Sequence, residues 1–459
     1  MNPRAELRGK VLPPVPLAFR AQLYSREQRF YDPYSGLITY GPYKAVNVKI
    51  LHLYPKTCHQ VKNIQLFSTL SSIINNILDT FLKRAGCRAK IEEEYFNDIP
   101  KLASPNESER RKTLSDFISI IKRSSEDVIL VPVLKGVVGV RRSEKVYTKL
   151  KALGLKHNFI TQLYTEKILN AIKGIVSKRA KEDNAKLYNL SLNILAKAGG
   201  IPWALYNELE YDITIGLSWS IRRDIKMATG PTIKYYGVVH TFSSIGVWER
   251  FSSFICETKE EALINALKEA LDYIFDEVEQ TPKYNRVLVL LREPLKEKFA
   301  KNIIHYIQKN YGYDIDIVHV TTYMPIRLYD LSTRTYMAPR GLYFIETNRS
   351  AYLVTTGYSK YVKTTGIGVP KPIGIRIIAT TDKQELQALI RSIQATYALT
   401  AMNWRSFWGS LRLPTPIHYS KLAARIFTLM EIEDIKDAFI RYKSSLYKPK
   451  IYEDRPWFI

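Results

Sequence analysis

Between residues 45 and 200 two hydrophobic periods take turns along the chain. Short apolar runs alternate with stretches in which apolar residues recur every three or four positions. Ala45 to Leu53 reads as a strand. From Gln65 to Arg84, the residues Leu66, Leu70, Ile73, Ile74, Ile77, Leu78 and Phe81 fall on one helical face. Lys90 to Tyr95 fits a strand, Arg110 to Lys122 a helix, and Val128 to Leu134 a buried strand closed by Lys135. Val146 to Leu153 fits a short helix, Phe159 to Tyr164 a strand, and Thr165 to Ala198 a helix with room for a break near Lys181 to Asn184. Such alternation predicts a mostly parallel α/β sheet, which binds ligands at the carboxyl ends of its strands.

Gly199-Gly200, followed by Pro202, stops the last of these helices and marks a domain boundary. The second half opens on strands at Tyr211 to Trp219, Lys234 to Phe242 and Gly246 to Ile255, with a helix expected over Lys259 to Glu277. Arg286 to Leu291 and Ile315 to Val320 read as strands around a helix at Leu295 to Lys309. Leu342 to Glu346, Tyr352 to Thr356 and Ile373 to Ile378 read as further strands. Helices at Lys383 to Leu399 and Lys421 to Met430 close the pattern. A meander of three strands followed by alternation fits a ribonuclease-H-like sheet, and other α/β arrangements fit almost as well. Residues 1 to 44 read as irregular, with a turn at Tyr40 to Tyr43.

Charge narrows the partner. There are 68 Lys plus Arg against 44 Asp plus Glu, a net +24, with 31 Tyr among them. That surplus suits a polyanion, and Tyr among basic residues suits base stacking; a generally basic proteome would give the same surplus. Cys58, Cys87 and Cys256 are too scattered for a disulfide framework or a zinc site, and Cys58 beside His59 lacks a second pair. Sparse cysteine and an amino terminus without an apolar core point to a reduced, cytoplasmic setting. The chain has no P-loop, G-x-S-x-G or H-E-x-x-H motif. Thr364 to Gly374 lacks the third glycine of a dinucleotide fingerprint, and His418 stands alone after two prolines.

Four residues can be read as an anion site. Tyr147 and Lys151 stand at i and i+4, so an aromatic plate and a cation share a helix face. Lys197 ends a long helix, where complementing the helix dipole is the bland alternative. Gln162 lies in a strand.

These residues sit in strings that carry a resemblance. Val146-Tyr147-Thr148-Lys149-Leu150-Lys151, Thr161-Gln162-Leu163 and Lys197-Ala198-Gly199-Gly200-Ile201-Pro202-Trp203 resemble the guide-binding MID domain of prokaryotic Argonaute proteins, especially short archaeal Piwi-type members. Asp212-Ile213-Thr214-Ile215-Gly216 resembles the first strand of their PIWI domain. Ala401 to Phe407, Leu413-Pro414-Thr415-Pro416, Tyr419 to Leu422 and Arg455 to Ile459 resemble its final stretch.

The resemblance implies an N-terminal segment (1–41) packed on PIWI, a Rossmann-like MID domain (42–200) and a ribonuclease-H-like PIWI domain (201–459), with nothing left to encode a PAZ domain. It assigns Tyr147 to stacking on the first guide base, and Lys151, Lys197 and Gln162 to the guide 5′ phosphate. A divalent cation, Mg²⁺ by expectation, would join Gln162 and the carboxylate of Ile459 to that phosphate. The implied partners are a short guide, RNA ahead of DNA, a complementary target, DNA ahead of RNA, and a separate effector protein switched on in defence against mobile elements.

The same resemblance implies that the chain does not cut. A nuclease of this fold needs clustered carboxylates around two metal ions roughly 4 Å apart. Ser218 takes the place of the first Asp, Glu293 is an off-pattern candidate for the second, and Lys421 takes the place of the last ligand. Asp212 and Asp224 are nearby but off-motif. Two other readings stay open: a guided nuclease using Glu293 with other carboxylates, and an unguided basic nucleic-acid-binding protein.

Overall fold

The computed structural model describes residues 9–20, 30–55, 65–134, 140–177, 184–224, 232–256, 283–332, 334, 336–359, 369–408, 411–430 and 455–459. The expected helix at Lys259 to Glu277, Cys58 with His59, and most of the Thr364 to Gly374 loop lie outside these residues.

The first half builds a four-stranded parallel sheet. Its strands are β3 (Val48–Tyr54), β4 (Ala89–Tyr95), β5 (Val128–Pro132) and β6 (Thr161–Tyr164), in the order β4-β3-β5-β6. Ile50 pairs with Ile91 on one side and Val128 on the other. Parallel strands require crossover helices: α2 (Gln65–Leu82), α3 (Glu107–Arg123) and α4 (Val140–His157). α2 buries Leu66, Leu70, Ile74, Ile77, Leu78 and Phe81, as its spacing predicts. After β6 come α5 (Glu166–Val176) and α6 (Asn184–Lys197), so the long helix is two helices. α4 begins six residues before the expected start, because Arg141, Arg142, Glu144 and Lys145 give its first turns no apolar stripe.

The amino-terminal residues are not simply irregular. They hold β1 (Lys10–Val11), β2 (Leu17–Ala18) and α1 (Pro33–Tyr40), a helix capped by the Asp32 carboxylate on the N–H groups of Tyr34 and Ser35. β1 pairs with β13 (Leu342–Thr347), and β2 with β7 (Ala204–Leu205).

The second half forms a nine-stranded sheet ordered β1-β13-β14-β15-β12-β11-β8-β9-β10. Its strands include β8 (Ile213–Asp224), β9 (Thr232–Ser243), β10 (Trp248–Cys256), β11 (Arg286–Leu291), β12 (Asp314–Thr321), β14 (Ser350–Leu353) and β15 (Ile373–Thr380). β8, β9 and β10 make the antiparallel meander, and β11 runs parallel to both β8 and β12. Alternation along β8 divides the layers. Ile215 and Leu217 pack with Ala300, Ile303 and Ile307 of α7 (Glu297–Tyr311). α8 (Glu385–Leu399) and α9 (Thr415–Leu429) complete the helices named here. α9 lies against β8, where a Cβ on Gly216 would come within 2.3 Å of Pro416, so this contact tolerates glycine alone. α9 starts six residues before the expected Lys421, because Pro416 sits in its first turn, where proline's missing N–H costs nothing.

The fold is α/β, a Rossmann-like parallel sheet beside a ribonuclease-H-like sheet. No described helix is long and apolar enough to cross a membrane. The two sheets meet through Trp203 and Trp404: Trp203 Nε1 donates to Ala401 O at 3.1 Å, and Trp404 Nε1 donates to Trp203 O at 3.2 Å. Residues 455–459 join this seam. Phe458 packs 4.5 Å from the His240 ring and 5.2 Å from Tyr419, while Arg455 reaches back to Asp127 at 3.1 Å.

Candidate nucleic-acid interface

Three elements of the first sheet aim cations at one point. Lys151 sits on α4, one turn after Tyr147, with its Nζ 5.9 Å from the centre of the Tyr147 ring. Lys197 is the last residue of α6 and Gln162 the second of β6. Lys151 Nζ donates to Thr161 O at 2.9 Å and Trp457 O at 2.7 Å. Lys197 Nζ donates to the same Thr161 oxygen at 3.1 Å and to Gln162 Oε1 at 2.6 Å. The structure therefore brings Tyr147, Lys151, Gln162 and Lys197 together, through a backbone carbonyl that no side-chain motif records.

Both ammonium groups are almost fully buried, at 3% and 1% exposure, and among the described residues neither pairs with a carboxylate. Burial disfavours the charged form of an amine. It pushes Lys151 down to about 7, with the Arg405 charge adding to the effect and the hydrogen bond with Lys197 opposing it. Lys197 is held well below the usual lysine range by burial first and by Lys151 second. Two unpaired buried cations are costly, and an entering anion removes that cost.

The anion has a way in. Tyr147 is half-buried and lines a cavity of about 490 Å³ together with Leu163, Arg405, Arg425 and Phe458. That volume falls in the range of small-ligand sites. Arg405 Nε is buried without a hydrogen-bond partner. The sequence singled out neither arginine. Arg405 stood inside the quoted 401–407 string without a role, and Arg425 stands at i+4 from Lys421 on α9, a spacing that carries its only signal.

The expected metal site fits an anion before a cation. Gln162 Oε1 already accepts from Lys197, and its Nε2 donates to Leu163 O at 3.1 Å. Ile459 is buried beside the site. Among the described residues no group of three His, Cys, Asp or Glu is placed to hold a metal. Two ammonium groups repel a cation here until a phosphate brings compensating charge.

The second set of residues converges on the carboxyl ends of β8 and β11. Ser218 is fully buried on the face of β8 that α9 covers, and its Oγ meets no partner. Leu217 pairs with Leu291, which sets Arg292 and Glu293 beside Ser218 and Trp219. Glu293 lies 3.9 Å from Arg292. Lys421 is exposed on α9 and pushed below the usual lysine range by burial first, then by Arg292 and Arg425, with Glu293 opposing. Asp212 is elsewhere: its carboxylate accepts from the N–H groups of Lys283, Tyr284 and Arg286 at the opposite end of β8. Asp224 ends β8. His418 stands half-buried in the first turn of α9.

A protein-family profile described as "Piwi domain" matches residues 137–430. That stretch contains Tyr147, Lys151, Gln162, Lys197, Ser218, Glu293 and Lys421. Among solved structures, Drosophila Piwi is similar with a TM-score of 0.71 at 15% identity, covering 98% of this chain and 56% of that one. Clostridium butyricum Argonaute, bound to a guide DNA with a 5′ deoxycytidine and a 19-mer target DNA, is similar with a TM-score of 0.66 at 18% identity, covering 92% of this chain and 53% of that one. The chain thus spans little more than half the length of either. No curated protein matches it.

Proposed function

The chain belongs to the Piwi family, and from that premise we propose that it anchors the 5′-phosphorylated end of a short nucleic-acid guide and pairs the guide with a complementary target. The observation that carries this reading is the pair of buried, carboxylate-free ammonium groups of Lys151 and Lys197 beside an open cavity lined by Tyr147. A phosphate there satisfies both cations, and the Tyr147 ring offers a plate for the first base. Arg405 and Arg425 extend the positive surface toward α9. Sequence recognition then falls to base pairing, while the protein supplies charge and shape. A divalent cation belongs to the proposal as a group shared by the phosphate, Gln162 Oε1 and the carboxylate expected at Ile459, where it would offset the repulsion between the two anions.

The proposal includes target recognition without cleavage. Ser218 and Lys421 stand where metal-binding carboxylates are needed, and Glu293 alone cannot hold two ions. A protein that recognises a target without cutting it needs a separate effector to act, and a cytoplasmic setting goes with that role. RNA as guide and DNA as target are the proposed strands. The test loads the protein with a phosphorylated guide and offers matched and scrambled targets with Mg²⁺ or Mn²⁺. Selective, stable capture of an intact matched target is expected. Equal capture of both targets contradicts guidance, and metal-dependent cutting supports the guided-nuclease reading instead.

A further inference from the structure

A second surface leaves the same edge of the nine-stranded sheet as Glu293. β12 ends at Thr321 beside β11, with the His319 ring 3.0 Å from Arg292 O. The connection that follows folds back on itself. Tyr329 bridges Met337, and Asp330 N–H donates to Tyr336 O at 3.1 Å. Tyr358 runs alongside, its N–H donating to Ala338 O at 3.0 Å and its carbonyl accepting from Arg340 N–H at 2.9 Å. Leu328, Ala338, Phe344 and Val354 form a small core of their own beneath it. The hairpin is therefore held in shape by its own packing.

What it displays is costly in water. Tyr329, Tyr336 and Tyr358 are each 54% exposed, and Tyr323 at the base is 86% exposed. Tyr336 keeps φ at +53°, a left-handed state that a tyrosine adopts only at a cost. Arg327 and Arg334 stand exposed among the rings, and neither meets a carboxylate among the described residues. The nearest acid, Asp330, already accepts from the Ser332 N–H and hydroxyl. Aromatic plates alternating with unpaired guanidinium groups complement a flexible polyanion whose bases are free to stack.

We propose that this hairpin binds unpaired nucleotides, as a stacking subsite for single-stranded nucleic acid that extends beyond the paired guide and target. The inference rests on the reading that a duplex lies along this edge. Stacking is indifferent to base identity, because every base has a π-face, so the subsite would grip an extension of any sequence.

The test compares the full chain on a blunt guide–target duplex and on the same duplex with a short single-stranded extension on either strand. Wild type is expected to bind the extended form ~5-fold or more tightly, from one or more stacks. Tyr329→Ala/Tyr336→Ala should abolish that gain, while blunt-duplex affinity, 5′-phosphate preference and melting temperature stay unchanged. Tyr329→Phe/Tyr336→Phe should keep it. Equal wild-type affinity for the two forms overturns the proposal and leaves the surface to a protein partner; so does a phenylalanine pair that loses as much as the alanine pair. Loss of phosphate preference in wild type, with the extension effect intact, would sink guide anchoring and spare the hairpin.

Discussion

Lys151 and Lys197 donate to a single carbonyl oxygen, that of Thr161, at 2.9 and 3.1 Å. Two ammonium groups drawn to one neutral acceptor inside the protein are strained electrostatically. The free protein carries that strain in the place where, on our account, a phosphate belongs.

Removing one cation should therefore separate stability from function. Lys197→Met keeps the length of the side chain and removes a buried charge. We expect the unliganded protein to be as stable as wild type or more stable by ~1 kcal/mol, and phosphate-dependent binding to fall roughly tenfold or more. Urea unfolding beside binding titrations checks both. A large loss of stability in the free protein would show that Lys197 serves the fold alone.

The same strain fixes a pH dependence. Burial holds Lys151 at about 7 in the folded chain against 10.5 ordinarily. Between those values the unfolded chain binds a proton that the folded chain has released, so this residue makes stability rise with pH across that window. A bound phosphate draws the proton back. Affinity for a phosphorylated strand should then fall above about pH 7, approaching roughly tenfold per pH unit, while a strand lacking the phosphate changes less. Titrations from neutral to alkaline pH check the sign.

Phe458 ties the last described residues to the seam between the two sheets, 4.5 Å from His240 and 5.2 Å from Tyr419. Its neighbour Trp457 supplies the carbonyl that holds Lys151 at 2.7 Å. Phe458→Ala should cost about 3–5 kcal/mol of stability and weaken phosphate binding, because the lysine loses a fixed acceptor. Unfolding curves that match wild type would contradict this.

Ser218 marks the limit on chemistry. Its hydroxyl is fully buried without a partner on the α9 face of β8. Ser218→Asp buries a carboxylate near Arg292 and Glu293 but leaves Lys421 in place. We expect a loss of stability of about 1–3 kcal/mol and no cutting of a paired target with Mg²⁺ or Mn²⁺. Cleavage by wild type in the same assay would contradict the proposal that this protein only binds.

Much of this was legible before the coordinates. The seven apolar residues of Gln65 to Arg84 share a face, and α2 buries six of them. Gly216 was noted as part of a motif, and its reason is the 2.3 Å approach of Pro416. Where periodicity failed, other physics had replaced it. α1 is held by the Asp32 cap and carries no clear apolar stripe, and the first turns of α4 are polar. The site was half legible. Side chains announce themselves in a sequence, so Tyr147, Lys151, Gln162 and Lys197 could be named. The Thr161 and Trp457 carbonyls could not, since every residue has one, and Arg405 and Arg425 were hidden among 68 basic residues.

The most direct measurement is the affinity for a short single strand with and without its 5′ phosphate, with Mg²⁺ present, for wild type and for Tyr147→Ala/Lys151→Ala. The account predicts that wild type prefers the phosphorylated strand by roughly tenfold or more and that the double variant loses the preference while keeping its weaker, salt-sensitive binding. Equal wild-type affinity for both strands would contradict guide anchoring and leave a basic protein that binds nucleic acid by charge.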